Sequence, residues 1–492
     1  MINLIKVSIE GHSYKHDLFE LIRVFFPGEE IVFIDENDYQ NDGLFIYSSL
    51  LDKINNTLAI TKVYKDNEQI KETVIDIEKI HISGLTRKKI IKNAIKKSIY
   101  TSLIGLVEHD IPWGILTGIR PIKVAHDLIN TNLETDEVKR ILMDEYRISD
   151  SKSQLMIDVA KSQRKHIYPL NQNKYSLYIG IPFCPTRCSY CSFPAFAIGN
   201  NYDKVSRYVD TLIYEIKQIS KLMEGKDLNT VYIGGGTPTS IKIKDLERII
   251  ATVRDVFVNE DIKEFTVEAG RPDTLNLDML KMLKSMDIDR ISINPQTMNS
   301  KTLEKIGRNH DIESTIFSYN LAKELGFESI NMDLIMGLPG EGIDEVAYTL
   351  SEIKKLDPEN LTVHTLSLKR GSRLFNHRDE LAKETIEINK MLELTEIKAS
   401  EMDMFPYYLY RQKQILGNLE NIGYAKPNKE CIYNISMMEE KETIIGAGLG
   451  SVSKFYYPKE NRIQRLPNFK DLIEYSNRID ELIEKKKNMI VN

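Results

Sequence analysis

Between Tyr175 and His364 the chain alternates short apolar runs with longer amphipathic stretches. Strands are predicted at Ser176–Ile181, Thr230–Ile233, Glu264–Glu268, Arg290–Asn294, Ser329–Leu334 and Asn360–His364. Helices are predicted between them, at Lys204–Met223, Ile243–Phe257, Leu277–Met286, Glu313–Leu325 and Glu345–Leu356. Such alternation builds right-handed βαβ units around a parallel sheet. Six strands are too few to close an eight-stranded barrel. The predicted class is therefore α/β, with an open, partial (β/α)6 barrel.

The flanks read differently. Ile5–Ile9, Glu30–Asp35 and Thr57–Tyr64 have strand character, Asp17–Phe26 is helical, and Arg87–Val107 is a long helix with a basic, solvated start. Asp110–Pro121 holds the only Trp and is expected to pack; Trp113, Thr117 and Arg120 could also line a site. After the strands, helices are expected at Ala382–Met402, Leu409–Asn421 and Phe469–Lys487. The predicted division is an N-terminal α+β and helical domain over 1–165, the partial barrel over 166–368, and a mostly helical domain over 369–492.

A net charge of -6 gives no support to a general polyanion-binding role, so no nucleic-acid partner is expected. No stretch has the roughly 18 apolar residues of a membrane span, and Met1–Val7 is not a signal-peptide block. A cytoplasmic protein is expected.

Of four cysteines, three are bunched as Cys184-Pro-Thr-Arg-Cys188-Ser-Tyr-Cys191, directly after the first barrel strand. A disulfide framework spreads its pairs over a small secreted chain, which this is not. Three thiolates can hold three irons of a [4Fe-4S] cluster and leave the fourth iron open. A zinc site completed by Cys431 or a histidine, and three unligated thiols, are the other readings.

Polar residues then recur where the strands end. Gly234-Gly-Gly-Thr-Pro-Thr239 follows the second strand, Glu268 ends the third, Gln296 follows the fourth, Asp333 sits late in the fifth, and Ser367 lies past the sixth. In a β/α barrel the active site lies at the C-terminal ends of the strands, so these residues and the cysteine loop are expected to meet at one rim. Carboxylates there can hold ribose hydroxyls.

These motifs carry a resemblance. The CxxxCxxC loop after the first strand and the glycine turn after the second are similar to the radical SAM superfamily. Tyr178-Ile-Gly-Ile-Pro-Phe-Cys184, Ile233-Gly-Gly-Gly-Thr-Pro238, Arg290-Ile-Ser-Ile-Asn-Pro-Gln296, Ile306-Gly-Arg308 and Asn331-Met-Asp-Leu-Ile-Met-Gly-Leu-Pro339 resemble the oxygen-independent coproporphyrinogen III oxidase family (HemN/HemW-like). Trp113–Pro121 and Tyr407–Lys413 resemble its HemZ branch.

The resemblance implies a [4Fe-4S] cluster on Cys184, Cys188 and Cys191, with S-adenosylmethionine on its open iron. Gly235, Gly236 and Thr237 match positions near the methionine moiety. Glu268, Gln296, Arg308 and Asp333 match positions that hold one or two S-adenosylmethionine molecules, and Ser367 is counted with this cofactor set. Tyr178 and Tyr190 match aromatic positions near cofactor or substrate, and Tyr178 is the implied catalytic residue. Phe183, Phe193, Pro194 and Phe196 are expected to screen a radical from water. The implied reaction is oxidative decarboxylation of coproporphyrinogen III in anaerobic heme biosynthesis, with flavodoxin or ferredoxin as one-electron donor. The alternatives are a heme-binding or heme-delivering protein and a radical enzyme acting on another tetrapyrrole. Two departures matter. Phe193 stands where the family's decarboxylases carry a fourth cysteine, and Tyr433-Asn-Ile-Ser-Met-Met438 stands where its heme chaperones carry His-Asn-x-x-Tyr-Trp.

Overall fold

The computed structural model describes residues 4–35, 43–54, 56–82, 84–193, 195–199, 202–257, 261–377, 387–412 and 415–491. The chain forms two compact units, Met1–Lys161 and Ser162–Asn492.

In the first unit, strands β1 (Leu4–Glu10), β2 (Glu30–Phe33), β3 (Leu44–Asp52), β4 (Thr57–Lys65) and β5 (Glu68–Asp76) form one sheet in the order β2-β1-β3-β4-β5. Strands β3 and β5 were not expected. The β5 sequence is polar and largely exposed, so it carries little alternation for a reader to find. Helices Lys15–Phe25 and Arg87–Leu103 join the core with Ile5, Val7, Leu18, Ile22, Phe25, Ile95 and Ile99. The basic start of the second helix is occupied within the unit: Arg87 pairs with Glu78, Lys89 with Asp127 and Lys92 with Asp17. Trp113 is fully buried, as a packing role requires.

The second unit holds an eleven-stranded sheet. Its centre is six parallel strands, β6 (Lys174–Ile181), β9 (Asp227–Gly235), β10 (Glu264–Glu268), β11 (Arg290–Ser292), β12 (Ile330–Met336) and β13 (Asn360–Thr365). A small parallel pair, β7 (Phe183–Cys184) and β8 (Phe196–Ala197), brackets the cysteine loop. The predicted barrel strands and their helices are all present. Leu177, Ile179, Val231, Ile233, Phe265, Val267, Ile291, Met332, Leu334, Leu361 and Val363 occupy alternate strand positions and are buried. Opposite them, helix Tyr202–Leu222 buries Val205, Tyr208, Val209, Leu212, Ile216 and Ile219, a one-faced helical spacing.

Both edges of the open barrel are covered by C-terminal strands, which solves the exposed-edge problem. On one side β15 (Asn421–Ala425) pairs antiparallel with β13, and β14 (Phe405–Tyr410) pairs with β15. On the other, β16 (Thr443–Ala447) extends β6 in parallel, followed by β17 (Val452–Tyr457) and β18 (Arg462–Pro467). The expected helix Leu409–Asn421 is therefore corrected. Tyr407, Tyr408 and Leu409 favour a pleated surface, Gly417 adopts a left-handed φ of 61° in the turn, and the open edge of β13 supplies hydrogen bonds. Of the other two expected C-terminal helices, the first is present at Ile388–Ser400 and the second, Phe469–Lys487, is divided into Leu472–Asn477 and Ile479–Val491; helix Ile432–Glu439 was not expected. The early part of the expected Ala382–Met402 helix lies outside the described residues. Among the described residues no helix is long and apolar enough to cross a membrane.

Candidate functional site

The strand parity that buries apolar side chains outside points polar ones inside. Tyr178, Tyr232, Thr266, Glu268, Ser292, Asn294, Asn331, Asp333, Thr362 and His364 occupy this inward set. Only Tyr178, Glu268 and Asp333 were singled out from the sequence. The others were legible as a polar residue at every second position of neighbouring strands.

The cysteine loop leaves the C-terminal end of β6 and is fastened from several sides. Ile181 O accepts from Gly236 N at 2.8 Å, and Phe183 O accepts from Thr237 N at 2.7 Å. A Cβ on Gly236 would stand 2.5 Å from Phe183 O, so only glycine lets the turn approach this closely. Thr237 Oγ1 donates to Cys184 Sγ at 3.5 Å. Arg271, almost fully buried, donates to Thr186 O and Oγ1, lies 4.0 Å from Cys188 Sγ, and pairs with Asp273 at 2.6 Å. Ser189 N donates to Ile306 O at 3.0 Å.

Cys184, Cys188 and Cys191 are free thiols held in this one loop. Burial pushes the Cys184 and Cys191 thiols up, and each is raised further by Cys188. Ionising thiols packed this closely is costly, and a cationic iron cluster held by their thiolates would offset that cost. Cys431 cannot complete a zinc site there. It lies beside Glu264 at the opposite end of the strands, with its thiol 3.2 Å from Oε1. Among the described residues no three His, Cys, Asp or Glu side chains converge as a single metal ion needs.

Glu268 accepts from the Tyr232 hydroxyl at 2.5 Å and from Gly235 N at 3.3 Å. Burial pushes its carboxyl up to about 7. Asp333 accepts from Asn294 Nδ2 at 2.8 Å and Asn331 Nδ2 at 2.7 Å, with His364 Nε2 at 3.7 Å. Gln296 takes a left-handed φ of 70°, a costly state for a non-glycine residue. Its N–H donates to Asp333 O at 2.9 Å and its carbonyl accepts from Ile335 N at 3.0 Å, so two backbone bonds hold that bend. Arg308 donates to the Tyr190 hydroxyl at 2.9 Å and to Gly270 O at 3.2 Å, tying the cysteine loop to the end of β10. Ser367 forms a bridge with Ile415 just past β13. Gly235 ends β9, Glu268 ends β10, Asp333 lies within β12, and Gln296 and Ser367 lie just past β11 and β13.

Beneath it three tyrosines stack. Tyr178 lies 6.2 Å from Tyr232 and from Tyr433, and Tyr232 lies 4.4 Å from Tyr433. Burial pushes the Tyr178 hydroxyl above its ordinary value, keeping it neutral. Tyr433 belongs to helix Ile432–Glu439, whose N-terminus is capped by Glu264 through Ile432 N and Tyr433 N. One expectation is corrected. Phe183 is buried, but Phe193 is 62% and Phe196 39% exposed, so these two do not screen the interior. Phe193 sits in the loop and Phe196 in the short strand β8, where one side of its ring meets Phe183 at 6.5 Å and the rest stays exposed. Pro194 lies outside the described residues.

A family model of the radical SAM superfamily matches residues 178–353. The chain is 43% identical to the oxygen-independent coproporphyrinogen-III oxidase-like protein HemZ of Bacillus subtilis, over 81% of each chain. It is 32% identical to the heme chaperone HemW of Bacillus subtilis, over 56% of this chain and 70% of that one. Among solved structures, the coproporphyrinogen III oxidase HemN of Escherichia coli, a radical SAM enzyme, aligns with a TM-score of 0.51. That alignment has 23% identity over 65% of this chain and 72% of that one, which bears on the fold. The superfamily uses a [4Fe-4S] cluster and S-adenosylmethionine, and the donor set at the rim fits both. Its sequence, fold and rim place this chain in the HemN/HemW-like family of radical SAM proteins, in the HemZ branch.

Proposed function

We propose that this protein is a radical S-adenosylmethionine enzyme of anaerobic heme biosynthesis that converts two propionates of coproporphyrinogen III to vinyl groups, giving protoporphyrinogen IX. The observation that carries this reading is the convergence of the three-cysteine loop, the glycine turn, Glu268, Gln296 and Asp333 at one end of the parallel strands. When bound, cluster and S-adenosylmethionine supply a 5'-deoxyadenosyl radical that takes a hydrogen atom from the substrate side chain. Each round would pass one hydrogen atom to that radical, release one carbon dioxide and hand one electron to a one-electron acceptor.

The residues of this chain bind and orient. Cys184, Cys188 and Cys191 hold three irons. The Gly235–Gly236 backbone and Thr237 present the methionine end, while Glu268 and Asp333 accept from ribose hydroxyls. Gln296, Ser367 and the Arg308–Tyr190 pair complete the cofactor wall. Tyr178 offers a neutral hydroxyl beside Gly235, and its ring is fixed by Tyr232 and Tyr433.

A heme-handling role is the second reading, favoured by Phe193 and by the likeness to HemW. Against it, the segment that stands in place of the chaperone heme motif lacks its His, Tyr and Trp, and its Tyr433, Ile435 and Ser436 are buried. Anaerobic turnover decides. Reconstituted protein is given dithionite, S-adenosylmethionine and coproporphyrinogen III, and products are read by mass. Loss of two carboxyl groups, absent in Cys188→Ala, is expected. An unchanged tetrapyrrole with 5'-deoxyadenosine formed rejects the substrate. Tight stoichiometric heme binding without turnover selects the second reading.

A further inference from the structure

Phe183–Gly199 and Leu366–Asn376 contain no Asp or Glu, in a chain where 72 of 492 residues are acidic. The two segments are joined. Arg187 Nη2 donates to Gly371 O at 2.7 Å, Leu374 N donates to Ser189 O at 3.2 Å, and a Cβ on Gly371 would stand 3.2 Å from Ser192 O. Together they carry Arg187, Lys369, Arg370 and Arg373, and Arg187, Arg370 and Arg373 are exposed. Within this basic frame Phe193 is 62% and Phe196 39% exposed. Phe196 and Ala197 pair directly with Phe183 and Cys184, so the apolar patch lies against the first cysteine.

Two large exposed aromatics thus stand on segments that also carry three exposed arginines, on a protein of net charge -6, the composition of a contact surface. A small substrate is enclosed when bound, whereas these side chains face outward. We propose that this face docks an acidic one-electron carrier protein, with Arg187, Arg370 and Arg373 steering it and Phe193 and Phe196 forming the apolar centre of contact. The inference rests on the proposed function, which requires a reducing electron at these cysteines. Per encounter the carrier is oxidised by one electron and the cluster is reduced by one; no bond is made or broken. Such encounters use small, salt-sensitive interfaces.

The test uses the reconstituted full chain and flavodoxin, an acidic flavoprotein donor. Binding of oxidised flavodoxin is followed by its flavin fluorescence, and cluster reduction by flavodoxin hydroquinone is followed by bleaching of the cluster's visible absorbance. The double variant Arg370→Glu/Arg373→Glu should weaken binding and slow reduction about tenfold at low salt, and raised salt should bring the native protein to the same level. Phe193→Ser should weaken binding several-fold at every salt concentration. Iron content and dithionite-driven turnover should stay unchanged in both. Unaltered flavodoxin binding in both variants overturns the proposal. So does a parallel fall in dithionite-driven turnover with a raised KM for the tetrapyrrole, which assigns the face to substrate. Failure of the native protein to form 5'-deoxyadenosine with dithionite strikes the function itself, and the binding titration still decides the docking face.

Discussion

The Tyr232 hydroxyl donates to Glu268 Oε1 at 2.5 Å across two neighbouring strands, and a Cβ on Gly234 would stand 2.8 Å from the same carboxyl carbon. The carboxylate is therefore fixed at the rim from two sides while burial pushes it up to about 7. Between the ordinary value of 4.5 and about 7 the folded protein holds this proton more tightly than the unfolded chain. The contribution to stability without ligand is thus present at low pH and lost as pH rises through that window. Ribose hydroxyls donate, so they favour the ionised form. Affinity for S-adenosylmethionine should rise with pH by up to about tenfold per unit below pH 7 and level off above it. Glu268→Gln should bind more weakly and show a flat profile by calorimetry. A native profile that is flat from pH 5.5 to 8.5 would contradict this assignment.

Gly236→Ala should fail differently. Its Cβ would meet Phe183 O at 2.5 Å and Ile181 O at 2.9 Å, and both are backbone atoms that cannot step aside. A loss of about 1–3 kcal/mol is expected from such overpacking, together with weakened S-adenosylmethionine binding. Gly105→Ala, where nothing lies within 4 Å, is the control and should melt like the native protein. Equal melting of the two variants would show that the turn is looser than described.

The four cysteines should separate cleanly. Cys188→Ala should abolish bound iron and the visible absorption of the reconstituted protein. Cys431→Ala should keep both, because its thiol serves Glu264 at the other end of the strands. Its cost should be about 1–3 kcal/mol of stability from the emptied buried position, read by chemical denaturation. Iron loss in Cys431→Ala would reopen the four-ligand reading.

Glu215 and Lys486 form an ion pair with both side chains fully buried. Glu215 also accepts from Gly448 N, Asn468 and Tyr475, and Lys486 donates to Gly446 O at 2.7 Å. This network pins the loop between β16 and β17 against β6, where a Cβ on Gly448 would stand 2.5 Å from Gly180 O. Lys486→Met leaves a buried, uncompensated carboxylate and should cost about 3–5 kcal/mol. The double variant Glu215→Gln/Lys486→Met should recover part of that loss in thermal melts. No recovery would mean that packing, and not charge, dominates there.

The sequence by itself determined the parts whose physics is local. Three thiols spaced within eight residues, a triple-glycine turn after a strand, and alternating strand and helix periods each act over a few residues. The open barrel and the residues proposed to hold the cofactor were legible for that reason. Asn294, Asn331 and His364, which frame Asp333, were present in the same alternation but became visible only once strand register set them on one face. Tertiary structure alone decided three things. It brought Tyr433 onto Tyr178 and Tyr232 from the far end of the chain. It turned Tyr407–Tyr410 into a strand, because β15, which covers the edge of β13, offered its own free edge in turn. It left Phe193 outside, because a loop's side chains take their direction from backbone contacts such as those around Gly371, and not from a repeating period.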